Sequence, residues 1–125
     1  LVLKKMRFCF FLISLGFFVL GDNIPNPTGN NYTICSWNTI IIDPSRLHHR
    51  IPLNIHYPCN NTNTYPLMIF GHASQSQNTW YNYLWEILVP QGYIIIMPGS
   101  YEYINDSHLL FAADMIYTLT YMYDI

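Results

Sequence analysis

Pro66 to Pro98 reads PLMIFGHASQSQNTWYNYLWEILVPQGYIIIMP. It opens with one apolar run, Pro66 to Phe70, and closes with another, Tyr93 to Pro98. Neither run alternates polar with apolar residues, which is the pattern of strands covered on both faces by helices. Between them Trp80, Leu84, Ile87 and Leu88 recur at helical spacing. Asn78 stands where an N-cap belongs and Gly92 where a helix stops. The spacing predicts a strand, helix, strand unit with parallel strands and a right-handed crossover. That unit makes the chain an α/β domain.

The flanks extend the unit. Upstream, NTIIID (Asn38 to Asp43) and IPLNIHY (Ile51 to Tyr57) are rich in β-branched and aromatic residues and are separated by the turn-forming PSRLHHR. They read as an antiparallel pair. With Leu47 at the centre of the turn, Cys35 comes opposite Cys59, and a disulfide there closes the open end of the hairpin. Downstream, Ser107 to Tyr123 reads as a helix facing inward through Leu109, Ala112, Ala113, Ile116, Leu119 and Tyr123, capped by Asp106 or Ser107.

The N-terminus carries a different signal. Lys4, Lys5 and Arg7 precede FCFFLISLGFFVL, Phe8 to Leu20, followed by Gly21. The apolar run is shorter than the about 20 residues of a spanning helix. Its layout is that of a secretory signal peptide over residues 1–21, so no stable membrane span is expected. An uncleaved signal anchor tethering the chain to a membrane is the alternative. Residues 22–37 then form an irregular lead-in rich in Asn, Pro and Gly, and residues 38–125 form the domain. In a secreted chain Cys9 leaves with the leader, and Cys35 and Cys59 remain to pair in an oxidising compartment. Asn31, Asn60 and Asn105 each open an N-x-S/T sequon and are glycosylation candidates.

Charge excludes some partners. The chain has 125 residues, a net charge of −2 and only five basic side chains, three of them in the leader. Such a surface cannot neutralise phosphates, so nucleic acid is excluded as a partner. Histidines occur at 48, 49, 56, 72 and 108 with no paired metal-ligand spacing, so no metal site is expected and those in turns and strands read as solvated. The pattern specifies no oligomer.

The chemistry-bearing segment is the loop between the first covered strand and its helix. In an open parallel sheet, loops leaving the C-terminal ends of strands line the ligand crevice. Gly71 to Asn78 is such a loop, with small residues that let main-chain N–H groups approach a ligand and with Ser74 and Ser76 as further donors. The same residues also fit an ordinary strand-to-helix turn in which His72 is tied to nearby backbone.

The succession IHYP, PLMIFGHAS, an aromatic helix, PQGYIIIMP and FAADMIYTL resembles the N-terminal half of a secreted α/β-hydrolase. It is most similar to the dienelactone hydrolase, chlorophyllase and platelet-activating-factor acetylhydrolase type of esterase, over roughly Thr39 to Asp124. The resemblance implies an antiparallel strand pair, a third strand, a helix, a fourth strand and a second helix, ending before the nucleophile strand. It implies an ester substrate, no cofactor, and an oxyanion hole built in part by the turn after the third strand. On this chain that turn is His72-Ala73, with the main-chain N–H of Ser74 or Ala73 as donor and with Gly71 and His72 bracing the bend. Fixed donors of this kind stabilise a developing oxyanion without reorganising, and losing one costs about 3 to 4 kcal/mol of barrier. Two positions depart from the pattern: Ala73 replaces the usual Gly, and Pro98-Gly99 replaces the Pro-Asp that often follows the fourth strand.

No G-x-S-x-G occurs, so no nucleophile elbow lies within these residues. Ser100, Asp106 and His108 form a triad only on paper, since they share one short loop that neither strains the serine nor orients the histidine. The expectation is therefore the N-terminal portion of an esterase, inactive as given, with the nucleophile, acid and histidine downstream. In the strand order of that fold the third strand lies between the fourth and fifth, which leaves Met68 to Phe70 at an open edge. A non-enzymatic secreted α/β domain that binds a ligand or partner through residues 71–78 is the alternative.

Overall fold

A computed structural model describes residues 7–8, 31–59, 64–73, 76–100 and 108–123. Five strands form one mixed sheet: β1 (Arg7–Phe8), β2 (Ile34–Asp43), β3 (His49–Pro58), β4 (Pro66–Ile69) and β5 (Ile94–Pro98), in the order β1-β4-β5-β3-β2. β2 and β3 pair antiparallel, β3 and β5 antiparallel, and β4 and β5 parallel. The helices are α1 (Asn82–Leu88), entered through a 3-10 turn over Asn78–Tyr81, and α2 (His108–Tyr123). Among the described residues no helix is long and apolar enough to cross a membrane.

The two helices cover opposite faces. Ile41, Ile51, Leu53, Ile55, Leu67, Ile69, Ile94 and Ile96 pack with Met115 and Met122 of α2. On the other face Ile95 and Met97 pack with Val89, beside Met68, Tyr81, Trp85 and Leu88. Every residue of β5 is buried, which is why its sequence does not alternate.

The helix phases differ from the expected ones. Tyr81, Trp85 and Leu88 face the sheet, while Trp80 and Ile87 are exposed. The first turn of this segment is 3-10, with three residues per turn, so counting 3.6 from Trp80 lands on the wrong face. Asn78 is not the N-cap; Gln77 takes that place without a side-chain bond. Gly92 does close the segment, at φ 95°, donating its N–H to Val89 O. In α2 the inner face is Phe111, Asp114, Met115, Thr118 and Met122, whereas Leu109 and Ile116 are exposed. Both faces of α2 carry apolar residues, so periodicity could not select one; a buried carboxylate does. The cap expected at Asp106 or Ser107 lies outside the described residues.

The hairpin is longer than its apolar core suggests. β2 starts at Ile34, inside the stretch expected to be irregular. Its register is centred on Arg46, not Leu47, with Asp43 opposite His49 and Cys35 opposite Tyr57. The cause is local. Asp43 accepts from Ser45 N at 2.9 Å and Ser45 Oγ at 2.6 Å, which winds Pro44–Arg46 into a 3-10 turn. Leu47 and His48 then take positive φ values of 51° and 59° and return the chain early. The Cys35–Cys59 disulfide forms across this shifted ladder with its Cα atoms 5.1 Å apart.

The edge expected to be open at Met68 to Phe70 is partly covered. β1 runs parallel beside β4, pairing Arg7 with Pro66 and Phe8 with Leu67. These two residues belong to the segment read as a leader. Beyond them, Met68 and Ile69 have no ladder partner on that side among the described residues.

Candidate functional site

β4 and β5 are parallel, so their C-terminal ends share one edge of the sheet. Gly99 N donates to Pro52 O at 2.8 Å, which brings the hairpin to the same edge. The 71–78 loop leaves from there. Gly71 is needed for contact with α2 and not for an unusual backbone. A Cβ built on it would lie 2.8 Å from Met115 Sδ and 2.9 Å from Phe111 Cε1.

His72 is buried, and its ring leans on Phe111 with 4.6 Å between centroids. Its Nδ1 lies 2.9 Å from Ala73 O and its Nε2 lies 2.9 Å from Ser100 O. A neutral ring donates to one of these carbonyls at a time. With its proton on Nε2 the imidazole ties the turn after β4 to the turn after β5. Ser100 meets this histidine through its carbonyl, while its buried Oγ has no partner among the described residues.

Ala73 is exposed. Its carbonyl also accepts from Ser76 N at 3.0 Å, closing a tight turn. Its N–H donates to the Tyr81 hydroxyl at 3.1 Å. Of the two candidate oxyanion donors, one is therefore already paired with a phenol, and Ser74 lies outside the described residues. Asn60, Asn105 and Asp106 lie outside them too, whereas Asn31 is exposed and His108 begins α2.

Three side-chain amides hold this loop in place, and of these only Asn78 had an expected role, as an N-cap that it does not fill. Asn78 Nδ2 donates to Asn54 Oδ1 at 2.8 Å and to Met97 O at 3.1 Å, and Asn54 Nδ2 donates to Asn38 Oδ1 at 3.0 Å. This amide chain runs from β2 across β3 to the start of the 3-10 turn. The signal was a polar Asn54 between the apolar Leu53 and Ile55 of β3, since a polar side chain on a covered face calls for a partner.

His56, read as solvated, is buried and stacked on Trp85, with 4.1 Å between centroids and 6° between planes. Its Nδ1 lies 2.8 Å from Ser36 Oγ, and its Nε2 is buried without a partner among the described residues. Burial holds its pKa below the ordinary 6.5. The folded ring therefore takes up its proton only at a lower pH than the unfolded chain does, which protonates near 6.5. Unfolding then gains protons, so stability falls as pH drops through 6.5 and levels off below the folded pKa. Urea unfolding at successive pH values should show this slope, and His56→Phe, which keeps the stack, should flatten it.

His49, also read as solvated, belongs to an ion cluster. Asp114 has no exposed side-chain surface and pairs with Arg46 through Oδ1 and with His49 Nε2 through Oδ2 at 3.1 Å. Arg46 also pairs with Asp43. The Ser45 hydrogen bond, aided by Arg46, outweighs desolvation and holds the Asp43 carboxyl below its ordinary value. His48 is exposed. Among the described residues no set of three or more His, Cys, Asp or Glu could hold a metal.

At the strand ends the exposed Ala73 thus has its N–H bonded to the Tyr81 hydroxyl, beside His72 and Asn78, with no charged group bonded to it among the described residues. Comparison with known families, with curated proteins and with solved structures finds no match for this chain.

Proposed function

We propose that residues 38–125 are the N-terminal part of a secreted serine ester hydrolase, whose nucleophile, acid and histidine lie in residues beyond those given. One observation carries this reading. The His72-Ala73 turn stands at the shared C-terminal edge of β4 and β5, where an acyl group meets its nucleophile in the fold that the sequence resembles. The sheet supports it further: β4 has β5 on one side, and on its other side it accepts a parallel neighbour, the place of the strand that precedes the nucleophile in that fold. The Cys35–Cys59 bridge suits an oxidising, extracellular compartment.

The test is fluorophosphonate labelling of the secreted product of the whole reading frame. A serine in G-x-S-x-G should be labelled, with hydrolysis of a p-nitrophenyl ester, and Leu1–Ile125 alone should remain unlabelled. A folded whole product that neither labels nor turns over the ester would sink the proposal. One observation favours a second reading, a binding domain without turnover: the Ala73 amide is already engaged by Tyr81.

A further inference from the structure

We propose that the Tyr81 hydroxyl, and not the Ala73 amide directly, is the group this loop presents to a ligand oxygen, and that its ligand is an ester or carboxylate with an apolar acyl chain. The inference deepens the esterase reading and, as a statement about chemistry, rests on it.

A phenol oxygen can accept hydrogen bonds and has one proton to donate. Here it accepts the Ala73 N–H at 3.1 Å, and among the described residues no acceptor takes its proton. An amide donating into the oxygen polarises the O–H and strengthens the bond it makes onward. The amide thus acts through the phenol, as a positioning group.

The hydroxyl is well fixed. Its ring packs beside Val89, Ile95 and Met97 and lies 4.8 Å from the Phe70 ring, so the oxygen is held by the covered side of the sheet and not by the exposed loop. Donors on rigid elements hold their geometry better than donors on loops. Around it stand Phe70 and Tyr83, the latter 6.5 Å from the Tyr81 ring. A neutral donor rimmed by aromatic rings suits one carbonyl or carboxylate oxygen beside an alkyl or aryl group. It does not suit a phosphate, for which charged donors are far stronger.

The experiment is a butyrate titration of the 15N-labelled secreted chain, followed at the Ala73 amide. Butyrate should move that cross-peak with a dissociation constant on the order of 1 to 10 mM. Tyr81→Phe should weaken binding at least about tenfold, equivalent to about 1.4 kcal/mol, with the rest of the spectrum in place. Tyr121→Phe, at an exposed position of α2 on the other side of the sheet, should bind as the parent does. Equal binding by Tyr81→Phe overturns the proposal, as does a parent chain whose Ala73 peak does not respond. The two failures separate cleanly. A whole product that is not labelled by fluorophosphonate but loses butyrate binding in Tyr81→Phe keeps the hydroxyl site and discards the esterase. A labelled product with unchanged binding in Tyr81→Phe does the reverse.

Discussion

Replacing Arg46 with alanine should lower the unfolding free energy by about 3 kcal/mol, the low end of what breaking a buried ion pair costs. The size follows from what is left behind. Asp114 sits in the middle of α2 with no exposed side-chain surface, and without the guanidinium only His49 still faces it. The Arg46 side chain is itself about a quarter exposed, at 24%, and His49 remains as a partner, which keeps the effect from the upper end. Arg46 also closes the turn through Asp43, so one substitution loosens the hairpin and its hold on α2 together. A paired change separates charge from packing. Arg46→Met with Asp114→Leu should recover much of the loss, because removing both charges leaves neither stranded. Urea melts of the single and double variants measure the difference, and additive losses in the double variant would refute the account.

Opening the disulfide should cost about 3 to 4 kcal/mol, the loop-closure entropy expected for cysteines 24 positions apart. The bridge straddles the last rung at the open end of the hairpin, with Cys35 one residue inside the pairing of Ile34 with Pro58 and Cys59 one residue outside it. Its loss should therefore fray β2 and β3 from that end first, while the turn stays pinned by Asp43 and Arg46. Hydrogen exchange of a Cys35→Ser, Cys59→Ser variant reads both features. Protection should fall near Ile34 and Tyr57 and persist near Ile41 and Ile51. Uniform loss, or no change in the denaturation midpoint, would contradict the expectation.

These effects also mark where sequence reading works. β4 and β5 were legible because a strand covered on both faces must be apolar throughout, and few other elements look like that at this length. The site was half legible. A Gly-His turn after such a strand has to lie at the sheet's C-terminal edge, but the phenol that engages its amide comes from eight residues further on. Whether Tyr81 or Trp80 turns inward depends on a 3-10 turn, and composition does not announce one.

Local chemistry written along the chain was enough to set the alternating layers, the strand-helix-strand unit, the glycine stop at Gly92 and the identity of the bridged cysteines, since each depends on neighbours a few residues apart or on the compartment. Three-dimensional packing alone chose the buried face of α2, the pairing of His49 with Asp114 and the burial of His56. Those outcomes turn on partners such as Asp114 and His49, which lie 65 positions apart. A charge or an imidazole has no preferred side until the fold brings its counterpart within reach, and desolvation then makes that side the only affordable one.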